Sequence, residues 1–119
     1  ETAQASDATI EWHLADLATW RSDRQFDVAF SNAALQWLPD HGELLPRLLE
    51  QVKPGGVLAV QIPDHSESPL YRVLAEVSHE ERWTDRMQSA RTSLTRNPVG
   101  YFYDVLSPLT AAIDRWTTE

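Results

Sequence analysis

Apolar and polar positions recur with two different periods along this chain, and the changes of period mark its parts. In "TIEWHL", Ile10, Trp12 and Leu14 fall at every second residue, which predicts a short strand ending near Ala15. "DVAF", after the turn residues Ser22-Asp23, and "GGVLAVQI", after Pro54-Gly55-Gly56, are continuous apolar runs and predict strands buried on both faces. Between them, "DHGELLPRLLEQV" sets Leu44, Leu45, Leu48, Leu49 and Val52 at helical spacing. Asp40 with Glu43 gives a capping-box-like start and "KPGG" a stop, while Pro46 is tolerable only in the first turn. Strand, helix and strand with short links predict a right-handed crossover and a parallel sheet.

From His65 to Leu106 the pattern turns to helix and loop. Ser68 as N-cap and Pro69 at the first helical position open a helix with the apolar stripe Leu70, Val73, Leu74 and Val77. A second helical stretch runs through Trp83, Met87, Ala90 and Leu94 and stops before Asn97-Pro98. "YFYDVLSPL" adds a short helix, and "AIDRWTT" returns to strand alternation. The expected architecture is therefore α/β, with three to four strands and a helical insertion over 65–106 between Rossmann-like portions 1–64 and 107–119. The chain starts at Glu1 without a methionine and finishes in "AAIDRWTTE" with no closing loop, so a piece of a longer protein is expected.

Composition narrows the partners. A formal charge of -8 repels phosphate backbones and anionic membrane surfaces, which disfavours nucleic acid and lipid. No apolar run approaches the ~20 residues that span a bilayer. The chain has no cysteine, so disulfides, thiolate catalysis and cysteine-held zinc are excluded, and a soluble cytoplasmic protein is expected. Residues 1–64 carry ten acids and four bases, whereas 65–106 carry six acids and five arginines. Those arginines read first as solvated helix faces and second as an anion site.

Ligands of open parallel sheets collect beyond the carboxyl ends of the strands. Three such ends are polar here: Asp16, Ser31-Asn32, and Gln61 to Asp64. Asp16 suits either a ligand amine or hydroxyl, or the N-cap of "LATW". The small residues Ser31 to Ala34 allow a ligand close to the backbone, and Trp37 is either a wall of that space or, as spacing favours, a core aromatic. His13, His41, His65 and His79 show no metal-ligand spacing, no Gly-x-Ser-x-Gly elbow surrounds Ser66 or Ser68, and "KPGG" lacks the rest of a phosphate loop.

"WHLADLATW", "FDVAFSNAALQWLPDH", "VKPGGVLAVQIPD" and "FYDVLSP" with "AIDRWTTE" resemble the class I S-adenosylmethionine-dependent methyltransferases from their third strand onward, most closely the trans-aconitate 2-methyltransferases. The resemblance implies a Rossmann-like sheet that is incomplete here. The family's glycine-rich loop and the acid after its second strand have no counterpart, and the strands that carry them would lie between the first two read here. It further implies that Asp16 and Leu17 meet the adenine of S-adenosylmethionine, and that Asn32 and Ala33 lie beside its methionine portion. Trp37 would border the methyl-transfer cavity, and Arg72, Arg91, Tyr101 and Tyr103 are candidates to hold a polycarboxylate. The implied chemistry is carboxylate attack on a sulfonium methyl, with no general base. The isolated chain is expected neither to bind the cofactor tightly nor to turn over, and its open strand edges favour homo-oligomers, with swapped elements as one route. Two alternatives stay open: a non-catalytic binding or assembly module, and a methyltransferase of the same fold for another acceptor such as a phenol or quinone.

Overall fold

The computed structural model describes residues 9–64, 68–83, 85–88 and 97–117. Strand β1 (Phe26–Asn32) leads through a 3-10 turn (Leu35–Trp37) into helix α1 (His41–Leu49), and α1 returns to strand β2 (Val52–Gln61), which pairs with β1 in parallel. This is the expected strand–helix–strand crossover. Helices α2 (Pro69–Ser78) and α3 (Val99–Leu106) follow, and a 3-10 turn (Ser107–Leu109) continues α3; of the second helical stretch expected after Trp83, residues 85–88 are helical and the rest, with Ala90 and Leu94, lies outside the described residues. Ser68 and Pro69 stand at the N-cap and first position of α2, as the pattern predicts.

The core is built on α1. His41, Leu44, Leu45 and Leu48 recur on one face and are buried, and Leu35 from the preceding turn is fully enclosed with the leucines. Each buried leucine contributes roughly 1.5–3 kcal/mol. Leu58 and Val60 of β2 press on this cluster from the sheet, and Phe102, Val105 and Leu106 of α3 also pack against it. Tertiary burial overrides two local rules here. Pro46 sits at the sixth residue of α1, not in its first turn, and leaves the Gly42 carbonyl without its helical donor. Asp40 is the N-cap but has left-handed backbone (φ 54°) and makes no side-chain cap bond, so the predicted capping box does not form. Its carbonyl instead accepts from the Glu43 and Leu44 amides.

"KPGG" is a bulge inside β2, not a separator before it. Phe26 pairs with Val52 and Val28 with Val57, so a step of two residues on one strand faces a step of five on the other. Gly55 takes φ 82° there, and a Cβ on Gly56 would stand 2.6 Å from the Asp27 carbonyl oxygen. Lys53, within the bulge, reaches back to the Asp27 carboxylate at 2.9 Å.

Three expectations are corrected. The strands are not buried on both faces: Ala29 and Ser31, paired with Leu58 and Val60, lie toward α1, whereas Val28, Phe30 and Val57 on the other face are exposed. The segments 10–15 and 112–117 form no strand, because a strand needs a ladder partner and among the described residues β1 and β2 pair only with each other. Leu14 and Trp116 stand in solvent accordingly. The sheet thus has two strands among the described residues instead of three or four, and the apolar stripe of α2 is uncovered.

Candidate functional site

The polar end of β1 is shaped by an unfavourable backbone. Ala33 follows Asn32 with φ 50°, a left-handed conformation that costs an alanine roughly 1–2 kcal/mol. Two bonds hold it: the Ala33 amide donates to the Gln61 carbonyl at 3.0 Å, and the Gln36 side-chain amide donates to the Ala33 carbonyl at 2.9 Å. The chain therefore turns sharply off the sheet using side chains no larger than methyl at 33 and 34, and buried Leu35 pins the next turn. Strain of this kind gathers at binding sites.

A cleft of about 440 Å³ opens beside β1, within the range of small-molecule pockets. Leu17 and Trp20 form one wall, Phe26 to Asn32 another, and Ala34 and Leu35 close the end. Its polar content is concentrated at that end. The Ser31 hydroxyl is buried there without a partner, as is the Gln36 side-chain carbonyl oxygen in the adjoining turn. The opposite end is apolar apart from Gln51, whose side chain is bonded to Ser22 and Arg47, and it follows the outer edge of β1, the shape that an additional strand would fill. The carboxyl end holds the buried polar atoms that have no partner.

The other wall is fastened from α1. Arg47 donates to the Leu17 carbonyl at 3.0 Å, and the Asp16 carbonyl accepts from the Thr19 and Trp20 amides. The Asp16 carboxylate takes the Ala18 amide at 2.9 Å, so it caps the "LATW" turn, one of the two roles its sequence position allows. Ahead of it, Glu11 pairs with Arg24 and His13, and the Arg24 guanidinium holds the Glu11 carboxyl below the usual carboxylate range.

The predicted residues are brought together in part. Leu17 and Asn32 line one cleft, with Asp16 and Ala33 adjoining them along the chain. Trp37 is 60% exposed, which overturns its favoured place as a core aromatic. Arg72 on α2 and Tyr103 on α3 are exposed and line no part of the cleft, and Arg91 lies outside the described residues. Tyr101 is half-buried at the start of α3, edge-on to Phe102, with its hydroxyl over Gly42 of α1. Arg82 pairs with Glu80 at 2.9 Å in the exposed turn after α2, so this arginine is solvated but stands on no helix face.

Sequence reasoning passed over His41, Asn97, Arg47 and Trp20. His41 carried a readable signal, because positions 41, 44, 45 and 48 share one helical face and a histidine on an apolar stripe must have both ring nitrogens satisfied. Arg47 and Trp20 carried none, since their partners are set by how a segment without a strand partner folds back on α1.

A family model described as a methyltransferase domain matches residues 1–60. Among curated proteins, the chain is 44% identical to a trans-aconitate 2-methyltransferase of Variovorax paradoxus, over 90% of this chain and 42% of the relative. It is 42% identical to one of Methylobacterium radiotolerans, over 99% of this chain and 46% of the relative. It is also 42% identical to one of Escherichia coli O157:H7, over 87% and 39%. The chain therefore spans less than half the length of these relatives.

Proposed function

The chain belongs to the methyltransferase-domain family, and from that premise we propose that it is the central to carboxy-terminal part of an S-adenosylmethionine-dependent O-methyltransferase acting on a small polycarboxylate such as trans-aconitate. The observation that carries this is the carboxyl end of β1, where a strained alanine, two small neighbours and an unpaired buried serine hydroxyl meet at the mouth of a cleft. The family likeness extends through residue 60 and so covers β1, the turn, α1 and most of β2.

The residues present fit one end of the cofactor. Leu17 and Trp20 offer apolar faces to an adenine, and the Asp16 carboxylate, one oxygen of which caps the turn, has a second oxygen to accept from an exocyclic amine. Asn32 and Ala33 would border the methionine portion. No described residue takes the place of the family's glycine-rich loop or of its ribose-binding acid. S-adenosylmethionine, when bound, supplies an electrophilic methyl group.

The chain's own part is orientation and exclusion of water. A carboxylate acceptor is already ionised at neutral pH, so no side chain has to remove a proton. Trp37 would form the rim, and Arg72, Arg91, Tyr101 or Tyr103 would grip the remaining carboxylates, with guanidinium matching carboxylate in two-point fashion. Rate enhancement then comes from alignment of the two reactants in a dry site. In this proposal 65–106 forms the substrate cover and 1–64 with 107–119 the Rossmann-like part. A cytoplasmic location is proposed from the cysteine-free composition. Among the described residues no helix is long and apolar enough to cross a membrane.

The test is titration with S-adenosylhomocysteine and assay of methyl ester formation on trans-aconitate. It is run on the 119-residue chain and on a fusion bearing the amino-terminal part of the Variovorax paradoxus relative. The chain alone should bind weakly and stay inactive, while the fusion should bind and methylate. A fusion that binds but methylates only neutral acceptors would move the assignment to a phenol or quinone. A folded fusion that does not bind at all would favour a non-catalytic assembly module.

A further inference from the structure

Among the described residues His41 is the most enclosed polar one, at 1% exposure, and nothing in the proposed chemistry uses it. Its ring meets three separate parts of the fold. Nε2 lies 2.8 Å from the Leu35 carbonyl oxygen, in the turn that follows the candidate site. Nδ1 lies 2.9 Å from the side-chain amide nitrogen of Asn97, just ahead of α3. The Phe102 ring of α3 covers the imidazole with centroids 5.6 Å apart.

A carbonyl oxygen only accepts, so Nε2 must carry a hydrogen; the Asn97 amide nitrogen only donates, so Nδ1 must offer its lone pair. The two contacts together specify a neutral ring in the Nε2–H form. The Leu35 carbonyl also accepts from the Leu38 amide at 2.9 Å, so the imidazole grips the same oxygen that closes the 3-10 turn. Trp37 stands two residues after Leu35, and Tyr101 four residues after Asn97. One side chain and its two hydrogen bonds therefore connect these two candidate walls, beside the apolar packing of Phe102, Val105 and Leu106 on the α1 cluster.

We propose that His41 is a positioning residue: through Leu35 and Asn97 it locks the segment bearing Tyr101 onto the turn bearing Trp37, and so fixes the substrate side of the site. The consequence for substrate rests on the methyltransferase function proposed above, whereas the joint itself does not. A leucine at this position would fill the core equally well. It would also leave the Asn97 amide without its acceptor and the turn carbonyl with one donor fewer, at a cost that apolar packing does not offset.

The joint is tested on the 119-residue chain by nitrogen NMR of labelled imidazoles and by fluorine NMR after 5-fluorotryptophan labelling, with the Trp37 signal assigned from Trp37→Phe. The expected result is the Nε2–H form at His41 and a single Trp37 signal. That signal should move by more than its linewidth in Asn97→Ala and in His41→Leu. It should return toward the original position in His41→Gln, whose amide still donates to the Leu35 carbonyl. An unmoved Trp37 signal in both Asn97→Ala and His41→Leu, or the Nδ1–H form at His41, would overturn the proposal. Should His41→Leu fail to fold, Asn97→Ala decides alone. In the active fusion, Asn97→Ala should raise the KM for acceptor several-fold and leave that for cofactor unchanged. An inactive fusion with the NMR coupling intact would remove the functional assignment and leave the joint standing.

Discussion

Arg47 reaches from the last turn of α1 to the main-chain carbonyl of Leu17, 3.0 Å away, and ties the wall of the candidate cleft to the core helix. The guanidinium is partly buried and its Nε has no partner, so this bond holds a charged group in a costly place for the sake of a segment that no strand supports.

Replacing Arg47 by alanine should therefore free the 16–20 turn before it unfolds the chain. A loss of about 1.5–3 kcal/mol is expected for a bond to a charged group. Hydrogen exchange should locate it, with the Thr19 and Trp20 amides losing protection while those of β2 keep theirs.

The bulge in β2 gives a second test. Gly56→Ala would place a methyl 2.6 Å from the Asp27 carbonyl oxygen and 2.7 Å from Val52 Cγ1, a backbone collision that cannot be relieved by turning a side chain. Overpacking of this kind costs typically ~1–3 kcal/mol. Gly55→Ala meets no atom but must keep φ 82°, at about 1–2 kcal/mol. Urea unfolding of both variants should show lower midpoints, with Gly56→Ala the more damaging because it parts the two strands.

Two exposed carboxylates predict a pH effect of defined sign. Arg24 holds Glu11, and Lys53 holds Asp27, below their ordinary values. A carboxyl whose pKa is depressed in the folded state stabilises that state above its unfolded value, and the contribution disappears as pH falls through the folded one. Stability should thus drop below the usual carboxylate range, by a small amount because both groups are in solvent and screened by salt. Carbon NMR titration of the two carboxyls checks it: Arg24→Ala should return Glu11, and Lys53→Ala Asp27, toward ordinary values.

Association between chains is the fourth expectation. Val28, Phe30 and Val57 form an exposed apolar face, the outer edge of β1 is unpaired among the described residues, and α2 leaves Leu70, Val73 and Leu74 open. Unpaired edges and apolar patches drive self-association. Light scattering should show mass rising with concentration, and Phe30→Lys should reduce the effect. A strict monomer at high concentration would contradict it.

The sequence by itself determined the crossover unit. Leucines at helical spacing between two apolar runs leave few other arrangements, and the motif at 26–41 carried the family likeness before any contact was known. It also determined the start of α2, because Pro69 fixes its own φ, although Ser68 at the N-cap makes no side-chain cap bond. Tertiary structure alone decided the rest. "TIEWHL" has the alternation of a strand, but a strand needs a paired neighbour, and among the described residues this segment has none. Asp40 and Pro46 break the local rules for helix starts and interiors, since burial of Leu44, Leu45 and Leu48 outweighs them. Trp37 has a core residue's composition and a surface residue's position, because the left-handed turn at Ala33 swings it outward. His41 became legible as a joint only when Asn97, 56 residues later, stood beside its ring. Periodicity reports which face of an element is buried, whereas the identity of the group waiting on the other side is fixed by the packing of elements distant in sequence.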